Sequence, residues 1–552
     1  MLKRFFATVV VCVLLVAACS GPSDAGSSSD PAAGTYGTVG GGPPGGTLVV
    51  LADREPDQLN PLTFSSLPAW HAVHLMYRAL AKRDSTLSGY APDLAKSWVL
   101  EGDSIVVITL RNDVLWDDGV KVSAEDVVFT IENQKNPETA SPRLSDVSAV
   151  NSVVARDSFT VAVGLKRTGL YTVNALLEVV PVPSHLLKNV APSKLRDAPL
   201  GRKPVGNGYY HFVSWTSGQQ LVMEVNPSKP DGRASIDRIV MRFIPDINAA
   251  LTELMTGNGD LIPKLPATQK KSVTSSSVTV YHGPRVRPAW IAWNTRKPPL
   301  DDNRVRTALL MAVNRQDIVT ALFGADGEAA LSPIPSALRE HTATVRAVPF
   351  DTTEAKLLLS KAGYRDANGD GIVEKNGVPL RIQVDFISSD KTREDVLVAM
   401  QSMLRKIGVD LAPRAYESSA WVGRLKAGEY TGSFWGWGWG PGVMGPNAEA
   451  VFHSRSIPPN GANFAGARNA RVDALIDASL TVADTAGARA IWKELEQLMI
   501  DDAVYAPIYM DPELFAVHSR FRNVKSRGIE WVEDAPYWYV DPALRLPRDK
   551  AK

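Results

Sequence analysis

Apolar and polar positions sort this chain into strands and helices from about residue 46 onward. Gly46-Thr47-Leu48-Val49-Val50-Leu51 is an apolar run after a polar stretch, the pattern of a buried strand. Asn60-Pro61 marks a turn, and Trp70 to Leu80 carries apolar residues at helical spacing. Ser104 to Arg111 predicts a second strand, with Trp116-Asp117-Asp118-Gly119 turning the chain after it. Ser123-Ala124-Glu125-Asp126 then opens a helix that continues through Val127, Val128, Phe129 and Ile131. A serine cap satisfies orphan amides, and acidic residues in the first turn suit the helix dipole. Leu380 to Phe386 predicts a strand, and Phe434 to Gly442 alternates aromatic residues with glycine. That period of two places Trp435, Trp437 and Trp439 on one face of a strand. Glycine between the rings lets a ligand or another backbone come close.

The first residues follow a different logic. Lys3 and Arg4 precede an apolar stretch from Phe5 to Ala18, too short to span a bilayer, which needs ~20 apolar residues. Residues 1–18 therefore read as a signal peptide. Val16-Ala17-Ala18-Cys19 resembles the bacterial lipoprotein box, which implies that Cys19 is acylated and becomes the first mature residue. The other cysteine, Cys12, lies inside the signal, so no disulfide or cysteine metal site is expected after processing. Residues 19–45 are largely Gly, Ser and Pro and predict a flexible tether. Lipid, tether and a large body together describe an extracytoplasmic protein anchored to a membrane rather than crossing it.

Composition narrows the function. Sixty basic and 59 acidic residues give a net charge of +1, which argues against a nucleic-acid partner. The eight histidines are mostly isolated, and no zinc-protease, serine-elbow or phosphate-loop motif occurs. No enzyme activity, cofactor or metal site is predicted. His71 and His74 stand three apart on a predicted helix, a spacing that suits a metal but more often has no shared role. Asp366-Ala367-Asn368-Gly369-Asp370-Gly371 resembles the start of a calcium loop, but the position of the closing Glu is Gly377. It predicts a surface turn between a helix and a strand.

The order of these motifs carries a resemblance. Pro92-Asp93-Leu94-Ala95-Lys96-Ser97-Trp98, a strand ending Leu110-Arg111, the Trp116 to Gly119 turn and the Ser123 to Phe129 helix start resemble the family 5 extracellular solute-binding proteins. These include oligopeptide-, dipeptide- and nickel-binding components of ABC importers and some oligosaccharide binders. Pro204-Val205-Gly206-Asn207-Gly208-Tyr209-Tyr210 is similar to the family's turn, with Asn207 and Tyr209 in place of Thr and Pro. Arg238 to Asp246, Trp290 to Arg296 and Pro298 to Leu309 continue the resemblance in order. It implies an α/β, two-lobed periplasmic-binding-protein fold of type II, in its large three-domain variant, with an interlobe ligand cleft. The first lobe would combine a core domain of 46–85, 203–284 and 520–552 with an extra domain of 86–202; the second lobe would be 285–519.

The same resemblance brings the aromatic strip to the cleft. Trp435, Trp437, Trp439 and Trp293 are then expected to make apolar ligand contacts, with Asn294 and Asn447 orienting polar groups and Phe64, Ser65 and Ser66 facing them from the other lobe. Peptide-binding members of the family place an Asp just after the strip to meet the ligand ammonium. Trp439 to Asn447 contains no acid here, so any buried amine must find another carboxylate. Oligopeptide is the first expectation, with an oligosaccharide or glycoside as the alternative. The implied partners are ABC permease subunits and their ATPases, and the protein is expected to act as a monomer. A peptide-sensing receptor or chaperone would use the same cleft.

Overall fold

The structure is a computed structural model that describes residues 39–84, 89–227, 229–338, 340–440, 444–525 and 530–550. Its framework is three large sheets. The seven-stranded sheet is built around Thr47–Ala52, every residue of which is buried. Leu48 and Val50 pack into the core on one face, Val49 and Leu51 into a smaller core on the other. Burial on both faces explains why this strand reads as a run rather than an alternation. Thr47–Ala52 pairs in parallel with Arg238–Phe243, residue for residue from Thr47 opposite Arg238 to Ala52 opposite Phe243.

A four-stranded antiparallel sheet forms the extra domain, in the order Ala95–Glu101, Ile105–Leu110, Thr160–Leu165, Val150–Asp157. Val106, Ile108 and Leu110 point to the core, and the residues between them do not. The helix Ala124–Lys135 packs against this sheet. Its first turn does more than cap: the buried Asp126 carboxylate accepts the Ser123 amide at 2.9 Å, the Trp116 indole at 3.2 Å and both the amide and hydroxyl of Ser184. One buried charge is thus surrounded by donors.

The third sheet has six strands, ordered Glu328–Ala329, Tyr505–Met510, Pro288–Trp293, Gly432–Gly436, Arg381–Ile387, Asp410–Tyr416. Its two faces have different chemistry. Ala289, Ile291 and Trp293 enter an aliphatic core with Leu300, Val305 and Leu309, whereas Trp290 and Ala292 enter an aromatic one.

The chain passes between the first and third sheets at two adjacent segments. Gly283 N–H donates to the Glu513 carbonyl at 2.7 Å, and Asp511 N–H to that of Arg287 at 2.9 Å. Leu514–His518 already belongs to the seven-stranded sheet, between Val278–His282 and Leu261–Ile262. The second lobe therefore closes before 514, not at 519. The expected tether also ends sooner: Val39 is buried, and Gly45 N–H donates to the Ser235 carbonyl at 2.8 Å. Cys19 lies outside the described residues. Among those residues no helix is long and apolar enough to cross a membrane.

Candidate functional site

Strand Gly432–Gly436 runs antiparallel to Pro288–Trp293, with Trp435 directly opposite Trp290. Strand pairing stops at Gly436, so Trp437 and Trp439 lie on the segment beyond it. The three indoles nevertheless share one aromatic core. Trp435 meets Trp290 edge-on at 5.4 Å and Trp437 at 6.3 Å, while Trp439 stacks on Phe452 at 5.8 Å. Trp435 and Trp439 are buried there, so their rings are packing rather than platform. Trp437 is half-buried and Gly438 exposed. Among the tryptophans of the strip it is Trp437, between Gly436 and the exposed Gly438, that reaches solvent.

Trp293 is on the wrong side for the expected role. Alternation along its strand turns it away from Trp435 and into the aliphatic core, where its ring packs under Gly432; a Cβ added there would sit 2.6 Å from it. Trp290 takes the place beside Trp435. Asn294 is buried and employed internally: its amide donates to the Gly428 and Tyr430 carbonyls at 3.1 and 2.9 Å, and its oxygen accepts from Arg296 Nε at 2.9 Å. It holds a loop of its own lobe. Asn447 is half-buried on the helix Met444–Phe452.

On the first lobe, Phe64 is buried beneath the Arg143 guanidinium, 3.5 Å from the ring centroid, and its carbonyl accepts from Arg143 Nη1 at 2.9 Å. That position presents arginine rather than phenylalanine. The Ser65 and Ser66 hydroxyls donate to Asp57 at 2.9 and 2.7 Å, and Ser66 also caps the helix Leu67–Met76. Ser65 remains exposed. Of the histidine pair, His71 is buried and His74 half-buried. His71 Nε2 lies 3.1 Å from Glu530, and His74 stacks on Trp70 at 3.8 Å with Nδ1 2.8 Å from the Trp70 carbonyl. Burial pushes the His74 imidazole down to about 3, so it stays neutral and its ring is a fixed wall.

The Asp366 turn is a surface loop, its carboxylate accepting the Gly369 and Gly371 amides at 2.8 and 3.0 Å.

What sequence reading missed is a set of charges at the crossing between lobes. Arg287 lies beside Gly438, whose added Cβ would sit 3.6 Å from its Nε. It pairs with Glu513 at 3.3 Å and approaches Glu530 at 3.8 Å. Burial raises the Glu513 and Asp511 carboxyls above their ordinary range, against the pull of Arg287, Lys264 and, for Asp511, Arg393. Burial acts the same way on Glu530, but the hydrogen bond and charge of His71 hold it below that range. These residues come from six separate stretches of chain, so no local motif announces them.

A cavity of about 110 Å³ lies within the first lobe between Trp70, His74, Arg83, Glu178 and Glu533. Near it, burial and the Glu178 charge push Asp146 up to about 6. A raised folded pKa means that the ionised form costs stability above about 6 and that this cost fades as pH falls. Asp146→Asn should therefore melt higher than wild type at pH 8, with the gap closing by about pH 3, where both states are largely protonated. Thermal melts across that range check it; a constant difference would place the effect elsewhere.

Comparison with known proteins agrees with this architecture. Residues 89–458 match the family described as bacterial extracellular solute-binding proteins, family 5 Middle. The oligopeptide-binding protein AppA of Bacillus subtilis is 28% identical over 543 residues, covering 96% of this chain and 97% of AppA. AppA solved in complex with a nonapeptide superposes with a TM-score of 0.74 at 27% identity, covering 91% of this chain and all of that one. NikZ of Campylobacter jejuni, solved with Ni(L-His), gives 0.75 at 24% identity and covers 89% of this chain and 99% of NikZ. With its two sheet-based lobes joined at a double crossing and two-thirds of its length matched in order, the chain belongs to the bacterial extracellular solute-binding proteins of family 5.

Proposed function

We propose that this protein captures oligopeptides between its lobes and hands them to the permease of an ABC importer, moored outside the cytosol by a lipid on Cys19. The observation that carries the reading is the accessible segment Gly436-Trp437-Gly438, running past the end of a strand onto Arg287. Gly436 is committed to its partner strand, where an added Cβ would meet the Pro288 carbonyl oxygen at 2.6 Å, but the exposed Gly438 beyond the ring leaves backbone open to a second extended chain, the arrangement by which sheets recruit peptides. Charges of both signs at the crossing suit a ligand carrying both: Asp511 and Glu513 can meet an ammonium, Arg287 a carboxylate. The peptide-bound AppA supports the same ligand class.

The test is mass spectrometry of what co-purifies with the protein, followed by calorimetry against peptides and oligosaccharides. Peptides should dominate the spectrum; sugars alone would move the reading to the indole faces and an oligosaccharide cargo. Trp437→Ala should weaken affinity by roughly tenfold or more, as loss of an aromatic anchor does, with little change in melting temperature. A large fall in stability with affinity intact would make that ring part of the core. Cys19→Ser should shift the protein from the membrane fraction to the soluble one.

A further inference from the structure

The helix Leu170–Leu177 follows the last strand of the extra domain, yet its two ends belong to different cores. Leu176 packs into the core of the first lobe, and Tyr171, fully buried, into the aromatic core of the second. Tyr171 is held there on every side. The Trp492 indole donates to its hydroxyl at 2.7 Å, that hydroxyl donates to the buried Glu340 carboxylate at 3.1 Å, and the two rings meet edge-on at 6.3 Å. Its backbone neighbours join in. Leu170 N–H donates to the Val482 carbonyl at 2.7 Å, and Arg167 pairs with Glu449 at 2.8 Å.

Two glycines make the approach tight enough. A Cβ on Gly169 would sit 2.4 Å from the Leu480 carbonyl oxygen, and one on Gly445 would sit 2.9 Å from the Tyr171 ring. We propose that this helix start is a latch between the lobes, with Tyr171 as its bolt, so that Tyr171 sets ligand affinity without touching ligand. The inference rests on the reading that the lobes part and close around cargo. The contacts of Arg167, Gly169, Leu170 and Tyr171 join the extra domain to the second lobe and are available only when those two meet. A contact confined to the closed arrangement shifts the balance by its own free energy, and apparent affinity follows the closed fraction.

The pattern also separates latch from core. Trp492 and Glu340, which bond its hydroxyl, lie far along the chain in the other lobe. Removing the hydroxyl alone leaves the Trp492 N–H buried without its acceptor, and only when the lobes are together.

The experiment compares wild type, Tyr171→Phe, Tyr171→Ala and Arg167→Glu by small-angle scattering without ligand and by calorimetry with a synthetic nonapeptide library. The latch predicts a larger radius of gyration for Tyr171→Ala than for wild type. It also predicts affinity weakened roughly tenfold in Tyr171→Phe, the scale of one buried hydrogen bond left unmade, and more in Tyr171→Ala. Arg167→Glu, at a partly exposed pair, carries the same directions should Tyr171→Ala fail to fold. Unchanged scattering and affinity in the folded variants, with only the melting temperature lowered, would overturn the latch. A wild type that takes up no peptide would retire the peptide reading instead, and the scattering comparison would still decide the latch.

Discussion

Arg520→Met should destabilise the first lobe by about 3–5 kcal/mol, the cost of stranding a buried charge by deleting its partner. The side chains of Arg520, Asp260 and Asp549 are at most 2% exposed. Arg520 donates to Asp260 at 2.8 and 3.0 Å, to Asp549 at 2.6 Å and to the Thr47 carbonyl at 2.6 Å. The carboxylates in turn accept backbone donors of the first strand: Val49 N–H on Asp260 at 2.9 Å and Thr47 N–H on Asp549 at 2.7 Å. Arg548 completes the group, 2.7 Å from Asp260. Methionine fills a similar volume but leaves two carboxylates facing a single arginine. Urea unfolding checks this, with the midpoint lowered and the slope kept. A shift below about 1 kcal/mol would mean that water reaches these acids.

Trp290→Ala should cost the second lobe a similar amount, about 3–5 kcal/mol for a large aromatic removed from a closed core. Trp290 is fully buried, edge-on to Trp435 at 5.4 Å and Tyr505 at 5.5 Å, with Phe452 at 6.1 Å. Its neighbours belong to a strand on either side and a helix above, so they cannot all collapse inward. In calorimetry the variant should show an earlier transition for this lobe, because two lobes with separate cores need not unfold together. Ligand affinity should fall less than stability does. The reverse outcome would put Trp290, rather than Trp437, at the ligand.

Much of the framework was legible from residue order. The buried first strand, the strand Ile105–Leu110 and the helix beginning at Ala124 stand where the pattern places them. Each carries its signal locally, as a run, an alternation or a cap. The site was less legible, and Pro288–Trp293 shows why. All six of its residues are buried, so hydropathy cannot say which face each side chain takes; only pairing with Gly432–Gly436 turns Trp290 toward Trp435 and Trp293 away. The strip from Trp435 to Trp439 looked like one strand because glycine and tryptophan alternate to its end. Pairing stops at Gly436, and beyond it Trp439 turns back into the core against Phe452 while Trp437 stays accessible. Phe64 reads as an available aromatic ring, but Arg143, which covers it, comes from a distant stretch of chain. The charges at the crossing were invisible for the same reason: His71, Lys264, Arg287, Glu513 and Glu530 become neighbours only through the fold.

The double crossing has a consequence for how the molecule is made. All six strands of the third sheet lie between residues 288 and 510, one unbroken stretch of chain. Emerging from a translocation channel amino end first, that stretch can complete its own sheet as soon as residue 510 is out. The seven-stranded sheet has no such freedom. Its opening strand is delivered first, and its last one, Leu514–His518, only after nearly everything else. Closing so long a loop is slow. Biogenesis should finish where it started, with Asp549 arriving late to settle against Thr47, and a chain cut short at its carboxyl end should leave the earliest strand without its clasp.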